Sequence, residues 1–156
     1  MKTQSEIDKY WLGEALKLAE QAKACGEVPV GVVVVKANQS ISRAFNRPIM
    51  DNDPTAHAEI LALRQAGATL NNYRLNGCSL YVTLEPCPMC AMAIVHARVE
   101  RVVFSTTDPK IGAVCSIQQM FDDQRYNHQV KWEQGSYTQE AKQLLQQFFL
   151  SCRQLN

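Results

Sequence analysis

The sequence predicts an α/β sandwich, a sheet of about five strands covered by helices on both faces. Short β-branched runs alternate along the chain with amphipathic helical stripes. At Leu84 to Pro88 a strand gives way to a helix, the mark of a crossover connection. The 156 residues, 46% hydrophobic and 20% charged, are close to the globular average and suffice for a packed core. No internal repeat is seen, and a single domain over 1–156 is expected.

Each element follows from its own signals. Between Ser5 and Cys25, Trp11, Ala15, Leu18 and Ala22 recur at helical intervals, with Ser5 as the expected cap and Gly26 as the stop. Val30 to Lys36 and Ile41 to Phe45 read as a hairpin around the turn-forming stretch Ala37 to Ser40. Asn46 to Thr55 contains Pro48, Pro54 and the run Asp51, Asn52, Asp53, so a loop is expected. Thr55 then caps a helix running to Gly67. Ser79 to Leu84 is a strand that ends at Glu85 and Pro86, after which Cys87 and Pro88 open a helix reaching about Ala97. Arg101 to Ser105 is a further strand, followed by the turn-rich Thr106 to Gly112, a helical turn around Ile117 to Phe121 and a strand near Val130 to Gln134. From Thr138 to Arg153, the residues Ala141, Leu144, Leu145, Phe148, Phe149 and Cys152 mark a closing amphipathic helix. Cys90 to Val95 is apolar all round, which predicts burial on several sides, in the core or against another subunit. A homo-oligomer is therefore expected.

Composition excludes several classes. The apolar runs Val32–Val35 and Ala91–Val95 are far shorter than the ~20 residues of a membrane-spanning helix. Met1 to Asp8 is polar and mixed in charge, unlike a secretory signal, so a soluble cytoplasmic protein is expected. A net charge of +1 gives no bulk attraction to nucleic acid, so any basic patch must be local. The 6 cysteines then point to metal binding or burial rather than to disulfides.

Two motifs carry chemistry: His57-Ala58-Glu59 and Pro86-Cys87-Pro88-Met89-Cys90, each on the first turn of an expected helix. Cysteines three apart on a helical turn point to one side, and the helix N-terminus favours their thiolate form. With one neutral imidazole, Cys87 and Cys90 nearly cancel the charge of Zn²⁺ and leave a tetrahedral position open for water. One zinc per chain, held by His57, Cys87 and Cys90, is expected to act in catalysis. Glu59, two residues beyond the histidine, is placed to move the water's proton and not to ligate the metal. Alone, a Cys-x-x-Cys pair is a weak signal, a histidine is usually a satisfied loop residue and a helix glutamate is usually solvated. The order and helix-start positions of the two motifs together make the catalytic reading the stronger one.

Elsewhere the plain structural reading prevails. Cys25, Cys78, Cys115 and Cys152 lack partners at ligand spacing and are expected to be packing residues or partly exposed thiols. His96 is expected to be structural with one backbone partner, and His128 has no assigned role. Phe148 and Phe149 fit either a core stripe or a platform on which nucleobases stack.

The ordered pair His-x-Glu and Pro-Cys-x-x-Cys resembles the zinc-dependent nucleoside and nucleobase deaminases. Within them the chain resembles the bacterial tRNA-specific adenosine deaminases along nearly its whole length. The likeness rests on Val28–Gly31 (Val-Pro-Val-Gly), Asn46–Pro48 (Asn-Arg-Pro), Asp53–Glu59 (Asp-Pro-Thr-Ala-His-Ala-Glu) and Tyr81–Cys87 (Tyr-Val-Thr-Leu-Glu-Pro-Cys). It continues through Asp108–Ala113 (Asp-Pro-Lys-Ile-Gly-Ala), Asn127 with His128, and Leu144, Leu145, Phe148 and Phe149. The resemblance implies a three-layer α/β/α fold of the cytidine deaminase type with a mixed five-stranded sheet, a homodimer, and hydrolysis of adenosine to inosine at the wobble position of a tRNA anticodon. It implies the same zinc ligands and proton shuttle, with Asn46 contacting the base and Asp108 and Lys110 bordering the substrate mouth. A base in an anticodon loop is already splayed, which makes carbon 6 of adenine accessible at little cost. Lys110, Arg153, Arg47 and Arg74 are the basic residues that could hold its phosphates.

Three departures stand out. Met92 and Cys115 occupy positions where relatives usually have glycine, which predicts altered packing of the second motif helix and a changed loop after Lys110. The chain also lacks the basic C-terminal tail of many relatives, which predicts weaker RNA binding. Two other functions remain compatible with the motifs: deamination of a free nucleobase or nucleoside of cytosine or guanine type, and a non-enzymatic zinc-stabilised nucleic-acid-binding module.

Overall fold

Thr3, rather than Ser5, caps the first helix in the computed structural model, which describes residues 1–154. The Thr3 hydroxyl accepts from the Glu6 N–H at 3.1 Å, the Thr-x-x-Glu spacing of a capping box, and α1 runs Gln4–Ala24. A two-residue turn at Ala37 and Asn38, both at positive φ (50° and 60°), joins β1 (Gly31–Lys36) to β2 (Gln39–Phe45). The turn is thus shorter than expected, and Gln39 and Ser40 belong to the strand.

The proline-rich stretch is not all loop. Pro48 supplies a preset first position, and Pro48–Asp51 form the one-turn helix α2, ended by Asn52 in the left-handed region. Helix α3 (Ala58–Leu70) begins at His57, not Thr55, because the Thr55 hydroxyl is taken by the Asp53 carboxylate at 2.7 Å. It also runs past Gly67 and stops at Asn71, whose φ of 51° provides the left-handed cap. Then come β3 (Cys78–Leu84), α4 (Pro88–His96), β4 (Arg101–Thr106), a 3₁₀ turn at Met120–Asp122, β5 (Lys131–Gln134) and α5 (Thr138–Gln154).

The strands form a mixed sheet in the order β2-β1-β3-β4-β5, antiparallel at β1 and parallel from β3 to β5. Alternation along β1 sends Val32 and Val34 to one face and Val33 and Val35 to the other. The first pair packs with Leu80, Val82, Val102 and Phe104 beneath Ala58, Ala62 and Ala66 of α3 and Ala91 and Ile94 of α4. The second packs with Tyr81 and Val103 against Trp11, Leu12 and Ala15 of α1, and α5 lies on that same side. Three layers, α/β/α, result. Gly31 permits the close approach of α1, since a Cβ there would meet the Ala15 carbonyl. Among the described residues no helix is long and apolar enough to cross a membrane.

One ion pair ties the α1 layer to the sheet. The Asp8 carboxylate accepts from both terminal nitrogens of Arg101 (2.8 and 2.6 Å), from the Tyr81 hydroxyl (2.7 Å) and from Gln4 (2.9 Å). Burial works against the charge, but the hydrogen bonds from Arg101, Tyr81 and Gln4 outweigh it and hold Asp8 below the usual carboxylate range. Asp8→Asn is expected to destabilise the fold by about 2 kcal/mol at pH 7, less than a fully stranded charge would cost, because Arg101 keeps Glu133 at 2.8 Å. A carboxyl with a depressed folded pKa stabilises above its unfolded value and loses that contribution as pH falls through the folded one. Urea denaturation should therefore show the gap between wild type and variant closing as pH falls below about 4; a gap independent of pH would contradict the role given to this pair.

Candidate metal centre

Two helix N-termini meet beyond the C-terminal end of β3. His57 is the N-cap of α3 and Cys87 the N-cap of α4, and neither side chain caps its own helix. The imidazole and the thiol are free to turn toward one another. His57 Nδ1 lies 3.6 Å from Cys87 Sγ and 3.4 Å from Cys90 Sγ, and the three donor atoms fall within 4.8 Å of one another. Zinc–nitrogen and zinc–sulfur bonds of about 2.05 and 2.3 Å at a tetrahedral angle separate such donors by about 3.6 Å. The set therefore fits zinc in both chemistry and spacing.

The three groups shift one another's protonation. A hydrogen bond from Cys90, aided by His57 and opposed by burial, brings Cys87 down to about 4. Cys90, hydrogen-bonded to Cys87 and buried, is pushed well up. Contact with Cys87 raises His57 against the effect of its partial burial. The Cys87 thiol is thus lowered in pKa, as its place at a helix N-terminus favours.

Glu59 is 4% exposed and touches Cys90, and burial pushes its carboxyl up to about 7. Asn46, 8% exposed, receives the Ala58 N–H on its side-chain oxygen at 3.2 Å, a surrogate for the cap that His57 does not provide. That bond fixes the orientation of the Asn46 amide next to the histidine. The structure therefore gathers His57, Cys87, Cys90, Glu59 and Asn46 in one place.

Asp108 belongs to the loop that follows β4, and its N–H donates to Glu85, two residues before Cys87, at 3.0 Å. The Asp108 carboxylate accepts from the Lys110 and Ile111 N–H groups at 3.0 and 3.3 Å, a turn that leaves Lys110 on the surface. An open groove of about 780 Å³ separates this loop from α5 and is lined by Asp108, Lys110, Ile111, Phe149 and Arg153. Phe149 is exposed and Phe148 half-buried, with ring centroids 5.4 Å apart, so neither belongs to the packed core. Arg47 is paired with Asp51 at 3.0 Å, and Arg74 lies beside Tyr73 on the groove between α3 and α4, away from the metal site.

Several residues differ from expectation. His96 is exposed rather than structural, whereas the His128 ring lies 2.7 Å from the Val99 carbonyl. Cys115 is not at a positive φ, so a side chain there imposes no backbone strain; its N–H donates to Glu85 at 2.8 Å. Met92 is half-buried against the core. Two buried carboxylates were not foreseen. Glu27, 1% exposed, accepts from the Ile49 and Met50 N–H groups at 3.2 and 2.7 Å and so anchors α2. Glu85, 2% exposed, receives donors from the loop around Asp108, and although burial opposes its charge, these N–H groups hold its carboxyl below the usual range. The available signal was a glutamate between a buried strand and Pro-Cys, a position with little reason to be charged.

Residues 5–106 match the family model of the cytidine and deoxycytidylate deaminase zinc-binding region. The chain is 46% identical over 154 residues to the tRNA-specific adenosine deaminase of Haemophilus influenzae, covering 98% of this chain and 89% of the relative. With the tRNA-specific adenosine deaminase of Aquifex aeolicus it shares 48% identity over 145 residues, 93% of this chain and 95% of the other. A solved structure from a study of A-to-I editing by tRNA:A34 deaminases superposes with a TM-score of 0.85 at 41% identity, covering 88% of this chain and 99% of that one. The chain belongs to the cytidine and deoxycytidylate deaminase family, whose zinc-binding region contains the His57, Cys87 and Cys90 cluster. It is an enzyme acting on C–N bonds, with one zinc per subunit.

Replacing Cys87 or Cys90 by alanine removes a thiolate donor, and bound zinc is expected to fall from about one equivalent per chain to near zero. Metal analysis of the purified variants measures this. Full zinc in either one would remove that sulfur from the ligand set.

Proposed function

We propose that this enzyme hydrolyses adenosine to inosine at the wobble position of a tRNA anticodon, with release of ammonia. The observation that carries this reading is the placement of the buried Glu59 carboxyl beside a three-donor His57, Cys87 and Cys90 cluster. It is supported by full-length likeness to proteins named as tRNA-specific adenosine deaminases.

When bound, zinc supplies a Lewis acid that brings the pKa of a water toward neutrality. His57, Cys87 and Cys90 hold it, and their two negative charges moderate its own. Glu59 takes one proton from the attacking water and delivers it to a ring nitrogen of the adenine; it then takes the remaining proton of the hydroxyl added at carbon 6 and passes it to the amino group, so that the C–N bond breaks, ammonia leaves and the carbonyl of inosine forms. A carboxyl close to neutral in pKa is suited to both accepting and returning a proton. Asn46, its carbonyl oriented by Ala58, presents its amide to the base. Burial around Glu59 keeps bulk water from competing for its proton.

The groove lined by Lys110, Arg153 and the exposed Phe149 ring offers cations and a stacking surface, features that suit a nucleic-acid polyanion better than a free base. A tRNA substrate also implies a cytoplasmic protein. The active form in this reading is a homodimer: Met89 and His96 of α4 are exposed, and a groove of about 800 Å³ lies between α3 and α4, lined by Ile60, Leu63, Tyr73 and Ala93. Light scattering on the purified protein should give twice the chain mass, and a monomer at assay concentration would remove the dimer.

Incubation with an anticodon stem-loop, and separately with free adenosine, cytidine and guanine, tests the substrate class. Inosine in the stem-loop is expected, whereas turnover of a free base alone would favour the small-molecule alternative. Glu59→Ala should keep its zinc and its fold while inosine formation falls at least about a hundredfold. Unchanged turnover in that variant would exclude Glu59 from proton transfer.

A further inference from the structure

Glu85 has no place in the chemistry above, yet its carboxylate is the most heavily used side chain in the molecule. Its Oε2 accepts from the N–H groups of Val114, Cys115 and Ser116 at 3.0, 2.8 and 3.0 Å. Its Oε1 accepts from the Asp108 N–H at 3.0 Å and from the Ser116 hydroxyl. Two further bonds run alongside, from Glu85 N–H to the Thr106 carbonyl at 2.8 Å and from Ala113 N–H to the Pro86 carbonyl at 2.9 Å. The loop wraps the carboxylate closely enough that a Cβ on Gly112 would collide with it.

We infer that Glu85 is a positioning residue that templates the mouth loop, residues 106–116, and fixes Asp108 and Lys110 in register with the metal-binding turn at Cys87. The inference rests on the proposed role of that loop in contacting RNA. Only a carboxylate can serve here. Five donors converge on two oxygens, and an ionised carboxyl offers about four lone-pair sites and no proton of its own. The loop has no regular structure to hold it, so without Glu85 four backbone N–H groups would lose their partner. Because Glu85 lies two residues from Cys87, any movement of the loop is a movement relative to the zinc site itself.

Glutamine at this position discriminates among the contacts. Its single oxygen can replace Oε2 and keep Val114, Cys115 and Ser116, but its NH₂ then confronts the Asp108 N–H where Oε1 had accepted it. Asp108 is thereby released at one end while the rest of the loop stays bound. The zinc-loaded Glu85→Gln protein should retain one zinc, raise KM for the anticodon stem-loop about tenfold, the equivalent of one lost charge-assisted bond, and keep kcat within about twofold. Ser116→Ala, which removes only the hydroxyl donor, should shift KM in the same direction by a smaller factor. A purely structural role would instead lower the active fraction, and so kcat, with KM unchanged, and that result would overturn the inference.

Hydrogen exchange on the wild-type enzyme provides a reading that needs no variant. The amides of Val114, Cys115 and Ser116 should exchange as slowly as those of β3, although they belong to a loop. Exchange at the rate of an open loop would overturn the inference even if Glu85→Gln fails to fold. Should the wild-type enzyme leave the stem-loop unaltered, the failure lies with the substrate reading, and the exchange rates alone decide for or against the clamp.

Discussion

A tetrahedral cation bound by two sulfurs and a nitrogen requires donors about 3.6 Å apart, and here they come from residues 30 and 33 positions apart in sequence. Much of the architecture can be understood from that requirement. Parallel β3 and β4, with α4 as the crossover between them, place the start of α4 beyond the end of the sheet. Packing of Ala58, Ala62 and Ala66 on the sheet places the start of α3 beside it. Small residues on α3 allow the helix to lie close to β1 and β2, and its packing beside α4 is what brings an imidazole to the sulfurs.

Caps are where that packing becomes chemistry. An ordinary N-cap would use its side chain on its own helix, but His57 and Cys87 do not. Pro88 has no N–H to satisfy, and Asn46 satisfies that of Ala58. The substitute cap also fixes the Asn46 amide beside the cluster, so one hydrogen bond links helix termination to ligand freedom. Around this cluster, Glu27 and Glu85 anchor the two flanking segments chiefly through backbone N–H groups, joined at Glu85 by the Ser116 hydroxyl. The walls of the site are thereby fixed largely by main chain.

The sheet and its layers were legible because β1 is a run of valines bounded by turn residues and the helices carry clean apolar stripes. The metal donors and Glu59 were legible because their types and spacings are themselves the chemistry. What escaped depended on competition between nearby groups. Thr55 is a good cap in isolation, but Asp53 captures its hydroxyl; Ser5 is a good cap, but the Thr3 hydroxyl takes the Glu6 N–H instead. Glu85 escaped for a different reason: its partners are chiefly backbone N–H groups on residues 108–116, which every residue except proline possesses and no sequence pattern displays.

The same distinction explains why the metal site and its mouth obey different rules. Replacement of a metal donor changes the ligand set, so side-chain identity is tightly constrained there. At the loop after β4 four of the five donors to Glu85 are main-chain N–H groups, so Val114 and Cys115 hold it whatever their side chains, whereas Ser116 contributes its hydroxyl and Gly112 leaves room for the carboxylate. Cys115 illustrates this: its N–H reaches Glu85 at 2.8 Å from a backbone that is not at positive φ, so the contact makes no demand on its side chain. A fixed reactive core bordered by a rim held largely through main chain allows one scaffold to keep its proton chemistry while the surface that meets the substrate diverges.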